Sequence, residues 1–236
     1  MSFDYERNTR TFYQDEATAQ RYHDMFMSRS GWRNLPSRVV ARRERSVVKD
    51  MLERVPHRSV LDIPAGTGKL AGVFASLGAR VLASDISPSM LKRAQAEFSR
   101  VGYPDVAFKV ADAADLGEFA GAGFNVAVCL RLMHRVPTGL RARMLKELAR
   151  VAPYAIVSYG IENGFHKLRR RTRAAIFGGQ KDTLCFCHLT EALAELQPHF
   201  DVVAKTWIAP ALSQEMIFLL RSKPQRAGDG GQPPVA

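Results

Sequence analysis

Apolar positions change their period several times along the chain, and each change marks an element. In residues 36–55, Val39, Val40, Val47, Val48, Met51, Leu52 and Val55 recur near helical spacing, with Arg and Lys on the other face. This predicts an amphipathic helix feeding a buried strand. From residue 59 onward, short apolar runs alternate with helical patterns. Strands are predicted at 59–63, 80–84, 106–110, 124–129 and 154–158, and helices at 66–77, 88–100 and 137–150. Near-continuous apolar strands suit a parallel sheet with helices on both faces. The punctuation agrees. Gly78 is placed to close one helix, Ser87 to cap the next, and Pro88 lies in its first turn, where proline is tolerated.

The pattern then alters. Residues 161–187 are polar and basic and read as a partly helical insertion, followed by a short helix at 191–196 with Thr190 as its cap. Residues 201–208 and 215–221 are two last strands. Too few residues join them for a crossover helix, so an antiparallel hairpin is predicted. The fold expected is α/β: a seven-stranded sheet of five parallel strands plus a C-terminal antiparallel hairpin, with helices on both faces. Residues 1–58 read as an N-terminal helical extension, with a helix at 17–27 carrying Tyr22. Residues 59–221 read as one domain, and the Gly-, Pro- and Gln-rich tail 222–236 as disordered.

Composition narrows the classes. A length of 236 residues suits one large α/β domain, and a hydrophobic content of 46% excludes disorder of the whole chain. The longest apolar runs are too short to span a bilayer, and the first ten residues lack the apolar stretch of a secretory signal, so a cytoplasmic location is expected. Three cysteines, Cys129, Cys185 and Cys187, argue against a disulfide framework. Cys185, Cys187 and His188 do not match a zinc-site spacing, so no metal is expected. Lys plus Arg number 34 against 23 acidic residues, a net charge of +11. That balance favours anionic partners such as nucleic acid, a lipid surface or a phosphorylated substrate, although a basic proteome or a solvated face accounts for it at least as well.

Candidate chemistry begins at Val60-Leu61-Asp62-Ile63-Pro64-Ala65-Gly66-Thr67-Gly68-Lys69-Leu70, a buried strand entering a glycine-rich turn and a helix. Such a turn lets backbone approach a ligand closely. Its glycines alone also fit a dinucleotide fingerprint. Asp62 separates the readings, because a carboxylate there repels a pyrophosphate and attracts a cation. Asp85 ends the second strand, where an acid can accept hydrogen bonds from ribose hydroxyls. Asp112 follows the third, where a carboxylate can accept from an adenine amino group. One such aspartate is commonly a cap or a turn residue. Three at successive strand ends, where doubly wound folds bind ligands, point to a site.

The order Asp62-x-x-x-Gly66-x-Gly68, then Asp85, then Ala111-Asp112-Ala113, resembles the class I S-adenosylmethionine (SAM)-dependent methyltransferases, whose fold is Rossmann-like. Their small-molecule branch is similar through the segment Asp85-Ile86-Ser87-Pro88-Ser89-Met90-Leu91. The likeness covers residues 60–157, and Pro64 departs from the usual small residue. It implies SAM as cofactor, with Asp62 near the methionyl amino group, Asp85 on ribose and Asp112 on adenine. Further cofactor contacts are implied at Ala65, Gly66, Thr67, Gly68, Ile86, Met90, Ala113, Leu130, Arg131 and Tyr22.

The fourth strand is followed by Leu130-Arg131-Leu132-Met133-His134-Arg135-Val136, without the Asn/Asp-Pro-Pro-aromatic motif of enzymes that methylate nucleic-acid amino groups. His134 is the candidate general base, since a hydroxyl acceptor must lose its proton and histidine titrates near neutrality. Tyr22, His23, Tyr159, His166 and His188 are weaker candidates. The acceptor expected is a small or lipid-linked anionic molecule, with the basic run 167–173 suited to peripheral membrane contact. RNA methylation, a non-catalytic SAM-binding role and NAD-dependent oxidoreduction are the alternatives.

Overall fold

The computed structural model describes residues 35–162, 164 and 185–224. The elements are α1 (Leu35–Leu52), β1 (Ser59–Asp62), α2 (Ala71–Leu77), β2 (Arg80–Asp85), α3 (Pro88–Arg100), β3 (Val106–Val110), β4 (Val126–Cys129), α4 (Thr138–Val151), β5 (Tyr154–Gly160), α5 (Leu189–Leu196), β6 (Phe200–Trp207) and β7 (Glu215–Ser222). They build one seven-stranded sheet in the order β3-β2-β1-β4-β5-β7-β6. The first five strands pair in parallel, and β7 runs antiparallel to both β5 and β6. The predicted hairpin is therefore present, with β7 rather than β6 inserted next to β5. The strand order reverses between β1 and β4, and the carboxyl ends at such a reversal are where open α/β sheets bind ligands.

Successive residues along each strand enter opposite layers. Val60, Val126, Ile156 and Ile217 pack with Val48, Met51 and Leu52 of α1, Phe74 of α2 and Phe98 of α3. Their neighbours Leu61, Ala127, Val157 and Phe218 pack with Met144, Leu145 and Leu148 of α4 and with Leu196 of α5. Helix α1 is thus part of the core. Because it leads into the start of β1, its own beginning reaches back toward the carboxyl edge of the sheet.

Two local expectations are corrected. The helix placed from residue 66 begins only at Ala71. Gly66 and Gly68 have φ values of 54° and 78°, in the left-handed region that a right-handed helix cannot include. Thr190 is not the cap of α5 but lies inside it, with His188 at the N-cap. The Glu191 carboxylate reaches back to accept the His188 backbone N–H at 2.8 Å. Gly78 and Ser87 act as expected: Gly78 closes α2 with φ 63°, and Ser87 Oγ accepts the Met90 N–H. The predicted helix at 17–27, the basic run 167–173 and residues 225–236 lie outside the described residues. Among those described, no helix is long and apolar enough to cross a membrane.

Candidate active site

Asp62 and Asp85 end the neighbouring strands β1 and β2 and are 3% and 6% exposed. Asp85 is tied to the glycine-rich turn. Its Oδ2 accepts the Gly66 N–H at 2.9 Å and its Oδ1 accepts the Ser87 N–H at 2.9 Å. Burial pushes this carboxyl up to about 6, against the opposing pull of those backbone donors. Burial, and then the charge of Asp85, hold the Asp62 carboxyl well above its ordinary range. Two desolvated acids at one edge are a poor place for an anion and a good one for a cation. Asp112 is half-buried after β3, and its Oδ1 accepts the Ala114 N–H at 2.9 Å, so one of its oxygens makes a local turn.

The turn between β1 and α2 is shaped by its two glycines in different ways. A Cβ on Gly68 would lie 3.0 Å from Ala94 Cα and 3.2 Å from both Ala94 O and Glu97 Cβ, so α3 packs directly on the turn. A Cβ on Gly66 would meet nothing within 4 Å, so the turn is open on that side. Between them Thr67 is fully buried, and its Oγ1 has no hydrogen-bond partner among the described residues. An open turn, an unpartnered buried hydroxyl and two buried carboxylates together suit a polar, cationic ligand. Pro64 leaves the strand ends in place: the flanking Ile63 N–H donates to Val128 O at 2.9 Å and the Ala65 N–H to Ser84 O at 2.7 Å.

Beyond β4, Leu130 is buried and Arg131 adopts φ 58°. The Arg131 N–H donates to Ser158 Oγ at 2.7 Å, and its Nε donates to Glu44 Oε2 at 2.7 Å. Its Nη2 also pairs with Glu44 and lies 3.3 Å from Glu215 Oε2. Burial pushes Glu44 upward, but Arg131 and Lys69 outweigh it and hold the carboxyl below its ordinary range. Burial takes Glu215 to about 7 in spite of Arg131.

His134 lies in a 3₁₀ turn, Met133–Arg135. Its ring stacks on Phe186, with centroids 6.2 Å apart and planes 9° from parallel. Burial first, then Arg135 and Arg131, hold it well below its ordinary range, so it is neutral at physiological pH. Its Nδ1 is buried without a partner among the described residues. Gly160 makes this stack possible, since a Cβ there would fall 2.5 Å from the Phe186 ring and 2.9 Å from His134 Cβ.

The carboxyl edge carries Asp62, Ala65, Gly66, Thr67, Gly68, Asp85 and Ile86, with Met90 one turn into α3, Asp112 and Ala113 after β3, and Leu130 and Arg131 after β4. Tyr22, His23 and His166 lie outside the described residues. Tyr159 is removed from the acceptor candidates: it points into the core, and its hydroxyl donates to Glu195 Oε2 at 3.1 Å beside the Arg141–Glu195 ion pair. His188 is exposed at the start of α5. Glu44, Glu215, Gly160 and Phe186 escaped the sequence reading. Glu44 had a signal, because it is an acid on the apolar face between Val40 and Val48 of α1.

Residues 60–153 match the family model of a methyltransferase domain. A ubiquinone biosynthesis O-methyltransferase of Xanthomonas campestris pv. campestris (strain B100) is 31% identical over 86 residues, 36% of this chain and 36% of that protein. Its counterpart in Xanthomonas axonopodis pv. citri (strain 306) is 32% identical over 78 residues, 33% of this chain and 32% of that protein. The chain thus spans about a third of the length of the curated relatives it matches. Beyond the matched span the fold has counterparts among solved structures. The magnesium protoporphyrin IX methyltransferase from Synechocystis PCC 6803, solved with bound SAH, superposes with a TM-score of 0.77 at 18% identity, covering 92% of this chain and 100% of that one. Human N-acetylserotonin methyltransferase in complex with SAM gives 0.64 at 16% identity, covering 92% of this chain and 59% of that one. At these identities the likeness is one of fold.

Proposed function

We propose that the protein transfers the methyl group of SAM to a small or lipid-linked acceptor. The observation that carries this reading is the pair of buried acids, Asp62 and Asp85, at the ends of adjacent strands, with Asp85 bonded to the open glycine turn. Asp62 is assigned to the methionyl ammonium, Asp85 to ribose hydroxyls and Asp112 to the adenine amino group. The unpartnered Thr67 hydroxyl and the free space over Gly66 support a polar occupant at the same turn. When bound, SAM supplies a methyl group activated on a cationic sulfur.

The chain's own contribution is positioning and desolvation. Methyl transfer releases a neutral thioether, so no oxyanion needs stabilising, and holding the acceptor in line with the methyl supplies most of the acceleration. For a hydroxyl acceptor, His134 is the candidate to take the proton, being neutral and following β4 at the same edge. With no partner on Nδ1 among the described residues, its tautomer is left to the acceptor to select. The small-molecule acceptors in the names of the relatives and structural counterparts favour a small acceptor. The basic run 167–173 is assigned to an anionic acceptor or to peripheral membrane contact.

The test is calorimetry with SAM, S-adenosylhomocysteine (SAH) and NAD, followed by transfer of labelled methyl to lipid, RNA and small-metabolite fractions of a cell extract. Binding of SAM and SAH and label in the lipid or metabolite fraction are expected. Tight NAD binding without SAM binding would overturn the assignment, and label confined to RNA would replace the acceptor class.

A further inference from the structure

A buried charge cluster lies beside the glycine turn, and the proposed chemistry gives its charged side chains no role. Arg131 is held from four sides in a backbone conformation that non-glycine residues seldom adopt: φ is 58°. From β5, Ser158 Oγ accepts its N–H. From α1, Glu44 accepts its guanidinium, and from β7, Glu215 faces the same group at 3.3 Å. Its carbonyl accepts Arg135 Nε–H at 3.1 Å. Glu44 and Glu215 are only 2% and 6% exposed, so these charges were taken out of water to make the arrangement. Lys69, which directly follows Gly68, acts electrostatically on both carboxylates. The cluster therefore joins the middle of α1, the glycine turn, the exit of β4 and the first residue of β7.

We infer that Arg131, Glu44 and Glu215 form an ion clamp that positions the methyl donor, by fixing the Leu130–Arg131 backbone at the exit of β4, the strand paired with β1 and its Asp62. This rests on the assignment of SAM as donor. The three are positioning residues, acting on the ligand through the backbone they hold. A purely structural cluster would need no strained residue at the β4 exit. The other buried pair, Arg141–Glu195, braces the loop further along, through Met133 O and Val136 O, and is bonded to no residue with positive φ.

Removing one member alone leaves buried charge uncompensated, whereas exchanging a whole buried ion cluster for apolar residues commonly leaves the fold intact. The experiment therefore replaces all three together, Glu44→Met, Arg131→Met and Glu215→Met, and measures SAM and SAH affinity by calorimetry beside the unliganded melting temperature. The expected result is at least about tenfold weaker binding with a melting temperature within about 5 °C of wild type. A folded triple variant that binds SAM like wild type overturns the clamp. If the triple variant does not fold, Arg131→Lys decides. Lysine keeps the charge and loses the forked contact, so several-fold weaker binding at near-native melting supports the clamp, and unchanged affinity overturns it. The pair Arg141→Met with Glu195→Met is the control. Unchanged SAM affinity there supports the clamp, and an equal loss overturns its specificity. Failure of the wild-type protein to bind SAM or SAH would instead remove the donor assignment itself.

Discussion

Asp85 shows how one buried side chain links stability to ligand chemistry. Its folded carboxyl titrates at about 6, above its ordinary value of 3.8, so the fold holds this proton more tightly than the unfolded chain does. Unliganded stability should therefore rise as pH falls from about 6 toward 4, by up to about 3 kcal/mol from this group. Ribose hydroxyls donating to Asp85 favour its ionised form, so the affinity for SAM should fall over the same window. Melting curves with and without SAM at pH 5 and pH 8 check both signs, and a ligand-induced shift independent of pH would refute the account. At Gly68, alanine would meet both a positive φ and a Cβ 3.0 Å from α3 backbone, predicting a loss of about 2–3 kcal/mol in urea unfolding. At Gly66 only the φ opposes alanine, and about 1 kcal/mol is expected. For His134→Gln, a drop of about 10²-fold or more in kcat with unchanged KM for SAM is the signature of a base, and normal turnover would remove it from the mechanism.

Among elements, α3 is the clearest case of local chemistry agreeing with tertiary placement. Ser87 caps it, Pro88 starts it, and Met90, Leu91, Ala94 and Phe98 face inward. Replacing the Ser87 cap by alanine should cost about 1 kcal/mol, read as a lower urea midpoint at unchanged slope. The start of α2 was misplaced because Thr67, Lys69 and Leu70 are compatible with a helix, while the positive φ of Gly66 and Gly68 comes from the turn's packing against α3 and its bond to Asp85. The end of β5 depends on a contact with a distant segment. Gly160→Ala should displace Phe186 and the stacked His134, lowering turnover more than SAM binding, because the stack includes the candidate base. Equal losses in both would place the stack in donor binding instead.

Across the whole molecule, the period of apolar residues and the turn chemistry carried the type and order of the elements, and placed Asp62, Asp85 and Asp112 after successive strands. These features are local: a strand of Val and Leu, a serine before a proline or an acid after β3 declares itself within a few residues. What only the tertiary structure decided is which distant groups meet. Glu44 reaches Arg131 across 87 positions, and Gly160 is shut against Phe186. Tyr159 turns away from the edge because its face of β5 belongs to the layer of α4 and α5. Each contact follows from β4 lying between β1 and β5 and from β7 inserting beside β5. That order is set by packing both faces of one sheet at once, a condition that no local stretch of sequence expresses.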